Sequence, residues 1–170
     1  MKNRGSMLIA AASLMAIVAC GDDPVAPPSH FVVFKATMNF ASEVPVPPVT
    51  STGTGTFIAT LDTTNNLFTW DLTFQGLTSN VNNGHIHGPA STTVAAGTTI
   101  NFNTAPGATF GFGQTTGVGH GAMTLTAATA VTSTINGDSL KKLLFAGLTY
   151  ANIHTVNNPG GEIRGQIIKQ

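Results

Sequence analysis

The chain has 170 residues, 42% hydrophobic and only 8% charged, with a formal net charge of zero. Its few basic residues are scattered, which argues against a phosphate-binding surface and so against nucleic acid as a partner. A single cysteine excludes an intrachain disulfide, so the fold must stand on its own core.

With so little charge, the surface has to be covered by Thr, Ser, Asn and Gly. Neutral β-branched threonine suits exposed strand faces. The first segment reads differently. Lys2 and Arg4 precede an apolar run, Met7 to Val18, broken only by Ser13. That run is shorter than the ~20 residues needed to span a bilayer but fits the core of a signal peptide. It ends Ile17-Val18-Ala19-Cys20, which resembles the bacterial lipobox. The expectation is a signal peptide over 1–19, a diacylglycerol thioether on Cys20, and a polar, Pro-rich tether over 20–30. The folded domain is then 31–170, and removal of the leader leaves five basic residues against seven acidic ones. The protein is thus expected to be exported and anchored to a membrane through Cys20. In a diderm host Gly21 after the cysteine would favour the outer membrane, so the expected location is the cell envelope, at the outer membrane or the cell surface or periplasmic face, with the membrane that carries the anchor left open.

The next segments alternate with period two, the mark of half-buried strands. Phe34, Ala36, Met38 and Phe40 form one apolar set, and Phe57, Ala59 and Leu61 another. Asp62 to Asn66 has the composition of a hairpin loop. Phe68, Trp70, Leu72 and Phe74 form the clearest strand, with Trp70 central to the core. Val94 to Phe102 is read as a strand. Ala105 to Gly121 is read as a Gly-rich loop, with Phe110 and Phe112 folding back as anchors. Ala122 to Leu125 is a short strand. Asp138 is taken as the N-cap of a helix over 139–146, closed by Gly147. Tyr150 to Thr155 and Glu162 to Ile168 are two closing strands joined by a tight turn over 156–161. Short strands with turn signals and one short helix predict an all-β antiparallel sandwich of immunoglobulin-like or copper/zinc superoxide dismutase-like type.

His85-Ile86-His87 is the motif richest in chemistry. Residues i and i+2 of a strand share a face, so both imidazoles point one way while Ile86 enters the core. By the same parity Tyr150, Asn152 and His154 share a face, and so do Glu162, Arg164 and Gln166. Pairing of the last two strands would gather these residues on one side of the sheet. Three readings are open for this face. His85, His87 and His154 can bind a transition metal such as copper or zinc, with His120 as a fourth candidate. Alternatively, Tyr150, Asn152, Glu162 and Arg164 are part of a polar recognition patch. The third reading is a structural cluster, with the histidines hydrogen-bonded in loops and Glu162 ion-paired to Arg164. His30 is expected to face solvent. No nucleophile elbow or phosphate-cradling glycine motif is present, so no catalytic residue is assigned.

Three stretches carry a family resemblance. They are Glu43-Val44-Pro45-Val46-Pro47-Pro48-Val49, then Gly84-His85-Ile86-His87-Gly88-Pro89-Ala90, and finally Tyr150 to Thr155 with Asn158-Pro159-Gly160-Gly161-Glu162-Ile163-Arg164-Gly165-Gln166. Together they make the chain resemble the CHRD domain, the module repeated in chordin and found singly in bacterial exported proteins. The resemblance spans roughly residues 34–168. Val46 splits the family's usual Glu-Val-Pro-Pro run, and Ala151 and Ile153 replace its commoner valines. It implies a β-sandwich-like extracellular module without a defined activity. The chain is also similar, more weakly, to copper/zinc superoxide dismutases, whose H-x-H strand and Gly-rich closing turn it shares. In that reading His85, His87, His120 and His154 mimic a copper set. The leading expectation is therefore a binding module for an extracellular protein, a small ligand or a metal. The alternative is a copper-dependent redox enzyme.

Overall fold

The fold is that of a computed structural model, which describes residues 30–170. Cys20, the leader and most of the tether lie outside the described residues. Ten strands and one helix follow in order: β1 (Phe31–Asn39), β2 (Thr54–Asp62), β3 (Leu67–Gln75), β4 (Val81–His87), β5 (Thr98–Asn101), β6 (Thr109–Phe110), β7 (Gly117–Thr124), α1 (Gly137–Phe145), β8 (Tyr150–Thr155), β9 (Ile163–Gln166) and β10 (Ile168–Lys169). All form one sheet in the order β5-β4-β8-β9-β1-β2-β3-β7-β6, with β10 also on β1. The named strand pairs are antiparallel. The all-β class with one short helix is as the sequence predicted.

The sheet curls until its far ends approach each other. Val81 N–H donates to the Gln114 carbonyl, and Gly113 N–H donates to that of Val81. Inner faces therefore close on one core, which includes Phe34, Phe57, Trp70, Phe102, Ile86, Ile153 and Ile163. The period-two sets of β1, β2 and β3 supply the first half of it, with Phe34, Ala36 and Met38 of β1 and every inward residue of β2 and β3 buried; Phe40, expected to continue the first set, lies in a turn after β1 and is half-buried. Phe57 stacks on Phe102 at 6.0 Å between centroids, and Trp70 lies against the same ring at 6.0 Å. Threonines recur on the outward side of these strands, at Thr37, Thr54, Thr56, Thr60, Thr69 and Thr73. Thr56 and Thr73 hydrogen-bond across the β2–β3 pair at 2.8 Å.

Three local expectations need correction. The segment read as a Gly-rich loop over 105–121 contains β6 and most of β7. Its glycines stand opposite aromatic rings: a Cβ on Gly121 would lie 2.3 Å from Trp70 Cζ2, and one on Gly117 2.8 Å from Phe74 Cζ. The strand is built to seat large rings from β3, and that removes the alternation by which strands are recognised. The strand expected over 94–102 is confined to Thr98–Asn101, because residues 91–97 are drawn off over the outer face of β4. The helix starts earlier than expected. Asn136, not Asp138, is the N-cap, its side chain accepting from Ser139 N–H at 2.9 Å. Asp138 sits in the first turn, where an acidic group suits the helix dipole.

Candidate metal centre

The outer face of β4, β8 and β9 carries a second, polar layer. Its position follows from the inner one: Gly84, Ile86, Ala151, Ile153 and Ile163 turn to the core, so His85, His87, Tyr150, Asn152, His154 and Arg164 must turn outward. In register, His85 stands opposite Asn152, His87 opposite Tyr150, and Asn152 opposite Arg164. Outward here does not mean exposed. Residues 91–97, the Pro159 turn and Glu43 fold over this face, and all six side chains are buried.

His85, His87 and His154 come together. One ligand nitrogen from each lies within 4.8 Å of the others. The orientation of two rings is set by the backbone. His87 Nδ1 is 2.9 Å from the Ala96 carbonyl, and His154 Nδ1 is 2.9 Å from that of Pro159. A carbonyl only accepts, so each Nδ1 carries the proton and each Nε2 presents a lone pair. His154 Nε2 then accepts from His85 Nδ1 at 3.0 Å. His87 Nε2 is buried and has no hydrogen-bond partner. A tetrahedral ion with bonds of 2.0–2.1 Å holds its nitrogens about 3.4 Å apart. The trio thus needs to close by about an ångström or so to fit a zinc or copper ion. Backbone carbonyls fixing the far nitrogen of a histidine are the usual outer support of a metal ligand.

Burial also sets protonation. It pushes His85 down to about 3, helped by its His154 and His87 neighbours, and His87 down to about 4. Burial lowers His154 as well. All three rings are neutral at physiological pH, the form a metal requires.

The remaining residues of the face hold the cover in place. Tyr150 stacks on His87, 4.8 Å between centroids at 6°. Arg164 lies on the ring of Tyr150 at 3.6 Å. The Arg164 Nη2 donates to the carbonyls of Ser91 and Val94 at 2.8 and 2.9 Å, so one side chain grips the start and the middle of the loop above the histidines. Ala96 N–H donates to the Tyr150 hydroxyl at 3.2 Å. Glu162 does not pair with Arg164. Its carboxylate receives Ser51 Oγ at 2.6 Å, Thr155 Oγ1 at 2.5 Å and both the N–H and hydroxyl of Thr78. Burial alone would raise Glu162, but these donors outweigh it and keep the group below the usual carboxylate range.

His120 is not part of the trio. It lies on β7 opposite Asp71, is exposed, and hydrogen-bonds Thr109. The four-histidine copper set suggested by chain order is therefore not assembled among the described residues. Glu43 is the residue that sequence reasoning missed. It is buried beside Asn152, whose Nδ2 donates to it at 3.3 Å, and burial pushes it up to about 8. A lone acid at the head of a Pro- and Val-rich run was the signal for it.

A family profile, the CHRD domain, matches residues 34–167. The chain belongs to the CHRD family. The match takes in every strand of this CHRD domain except the first residues of β1 and the short β10, and with them the whole histidine cluster. No curated protein and no solved structure matches the chain.

Proposed function

We propose that this CHRD protein is an exported lipoprotein of the cell envelope, tethered through Cys20, and that it acts as a binding module holding a zinc or copper ion on His85, His87 and His154. The observation that carries the metal reading is the pair of Nδ1 contacts to Ala96 and Pro159, which leave the Nε2 atoms of His87 and His154 as ligand atoms beside His85; on binding, His85 Nδ1 would give up its hydrogen bond to His154 and carry its proton on Nε2 instead. His87 Nε2 is buried without a hydrogen-bond partner, which leaves its lone pair available to an ion. The lipobox-like end of the leader supports the anchor.

The test is metal analysis of protein purified after expression with added zinc or copper, followed by titration of the stripped form. One equivalent per chain is expected, with His87→Ala or His154→Ala weakening binding at least about tenfold. Absence of bound metal, with a melting temperature unmoved by either ion, removes the proposal. Three ligands leave a fourth position open, which is the feature that favours a redox alternative. Superoxide decay catalysed by the copper-loaded protein, and lost in His87→Ala, would decide for that enzyme.

A further inference from the structure

Five basic residues fall within the described chain, and Arg164 is buried in the polar layer. Three of the other four, Lys141, Lys142 and Lys169, gather at one end of the domain, around the last turn of α1. Lys169 Nζ sits 5.4 Å over the ring of Phe145. Lys141 and Lys142 line a groove of about 700 Å³ together with Asp138, Leu61, Thr63 and Phe145. Lys141 is matched by Asp138 at 2.8 Å. Lys142 and Lys169 have no acidic partner among the described residues. The fourth cation, Lys35, faces Ile168 across β1 and β10. Interleaved with these charges are exposed apolar side chains: Phe145 at 45%, Leu148 at 36% and Ile168 at 49%.

The chain enters the domain at this same end. The His30 carbonyl accepts from the N–H and hydroxyl of Thr63, a residue of the groove. Residues 21–29 are all that separate it from Cys20, and nine residues reach at most about 30 Å. We propose that this end faces the membrane, and that the groove and its lysines dock on an anionic phospholipid bilayer. The inference rests on the reading of Cys20 as the anchor. Chemical complementarity supports it: lysines are drawn to anionic headgroups, their stems lie along apolar surface, and an aromatic ring is at home at the interface. A lipid tether supplies attachment, and the lysines then decide which end of the domain turns to the surface.

The experiment uses chain 20–170, which contains every described strand and the helix. Its sole cysteine, Cys20, is coupled to a maleimide phospholipid in vesicles, and Phe145→Trp provides the reporter. The native Trp70 is buried and constant. On vesicles containing phosphatidylglycerol with brominated acyl chains, the Phe145→Trp emission should shift to the blue and lose about half its intensity. Lys142→Glu with Lys169→Glu, both at exposed positions, should abolish the loss, as should about 0.5 M salt. Emission unchanged from that in solution, or equal quenching on pure phosphatidylcholine, overturns the proposal. Chemical coupling bypasses cellular acylation, so failure here is distinct from failure of the anchor reading, which fatty-acid labelling reports.

Discussion

Arg164 carries a full charge with 1% of its surface exposed, and its direct partners are two carbonyls and a phenol ring. Glu43, a carboxyl that feels its charge, is held largely protonated at neutral pH by burial. A planar guanidinium suits this position because it stacks and donates two bonds from one nitrogen. Lysine keeps the charge and its donors but has no planar group to lie on Tyr150 while reaching both carbonyls. Arg164→Lys should therefore cost about 2–3 kcal/mol in urea unfolding, near the worth of hydrogen bonds to a charged group. It should also loosen residues 91–97 in hydrogen exchange. A variant as stable as the parent would show that the loop is held by other means. The titrating groups here oppose one another. The three histidines have folded pKa values below their ordinary one, so the unfolded chain binds more protons and stability falls as pH drops below about 6.5. Glu43 is raised from 4.5 to about 8, so it favours the fold at lower pH and this contribution fades as pH rises from about 4.5 through 8. Three groups outweigh one on the acid side. Metal-free protein should be most stable near neutral pH, and Glu43→Gln should remove the alkaline decline. Urea midpoints at pH 5, 7 and 8.5 check this; a flat profile between 5 and 7 contradicts it.

Elements of this domain are shaped by ring against glycine. Gly117, Gly119 and Gly121 of β7 alternate, and each faces an aromatic or leucine side chain at under 3.3 Å from where a Cβ would stand. At Gly121 the atom met is Trp70 Cζ2, part of a rigid ring in the centre of the core. Gly121→Ala should destabilise the domain by about 1–3 kcal/mol through overpacking, measured by thermal unfolding. Metal affinity should stay unchanged, because β7 makes no direct contact with the histidine trio. Loss of metal with stability intact would reverse that assignment. At this scale the readable elements were those whose inward residues are large and outward ones polar. The strand β3 is the best case, with Phe68, Trp70, Leu72 and Phe74 all buried. The strand β7 is its complement: its small residues make room for those rings, and taken alone they look like loop.

Across the whole molecule the layers divide labour. The curled sheet encloses an apolar core, a polar layer on the outside of β4, β8 and β9 holds the candidate metal centre, and the lysine-rich end lies where the chain enters. No helix among the described residues is long and apolar enough to cross a membrane. The attachment proposed is through Cys20. Cys20→Ser should abolish fatty-acid labelling and shift the protein from the detergent phase to the aqueous phase. Retention in the detergent phase would require another anchor.

Alternation alone determined the all-β class, the early strands and the shared face of His85 and His87, because side-chain parity in extended backbone is local. Only the tertiary structure decided which histidines meet. His154 joins the pair through β8 lying beside β4, whereas His120 is carried off by β7. It likewise decided that Arg164 grips a loop instead of Glu162, and that Glu43 is buried. These outcomes depend on strand order and on cover from distant segments, and no property of a residue's immediate neighbours encodes where such segments will come to rest.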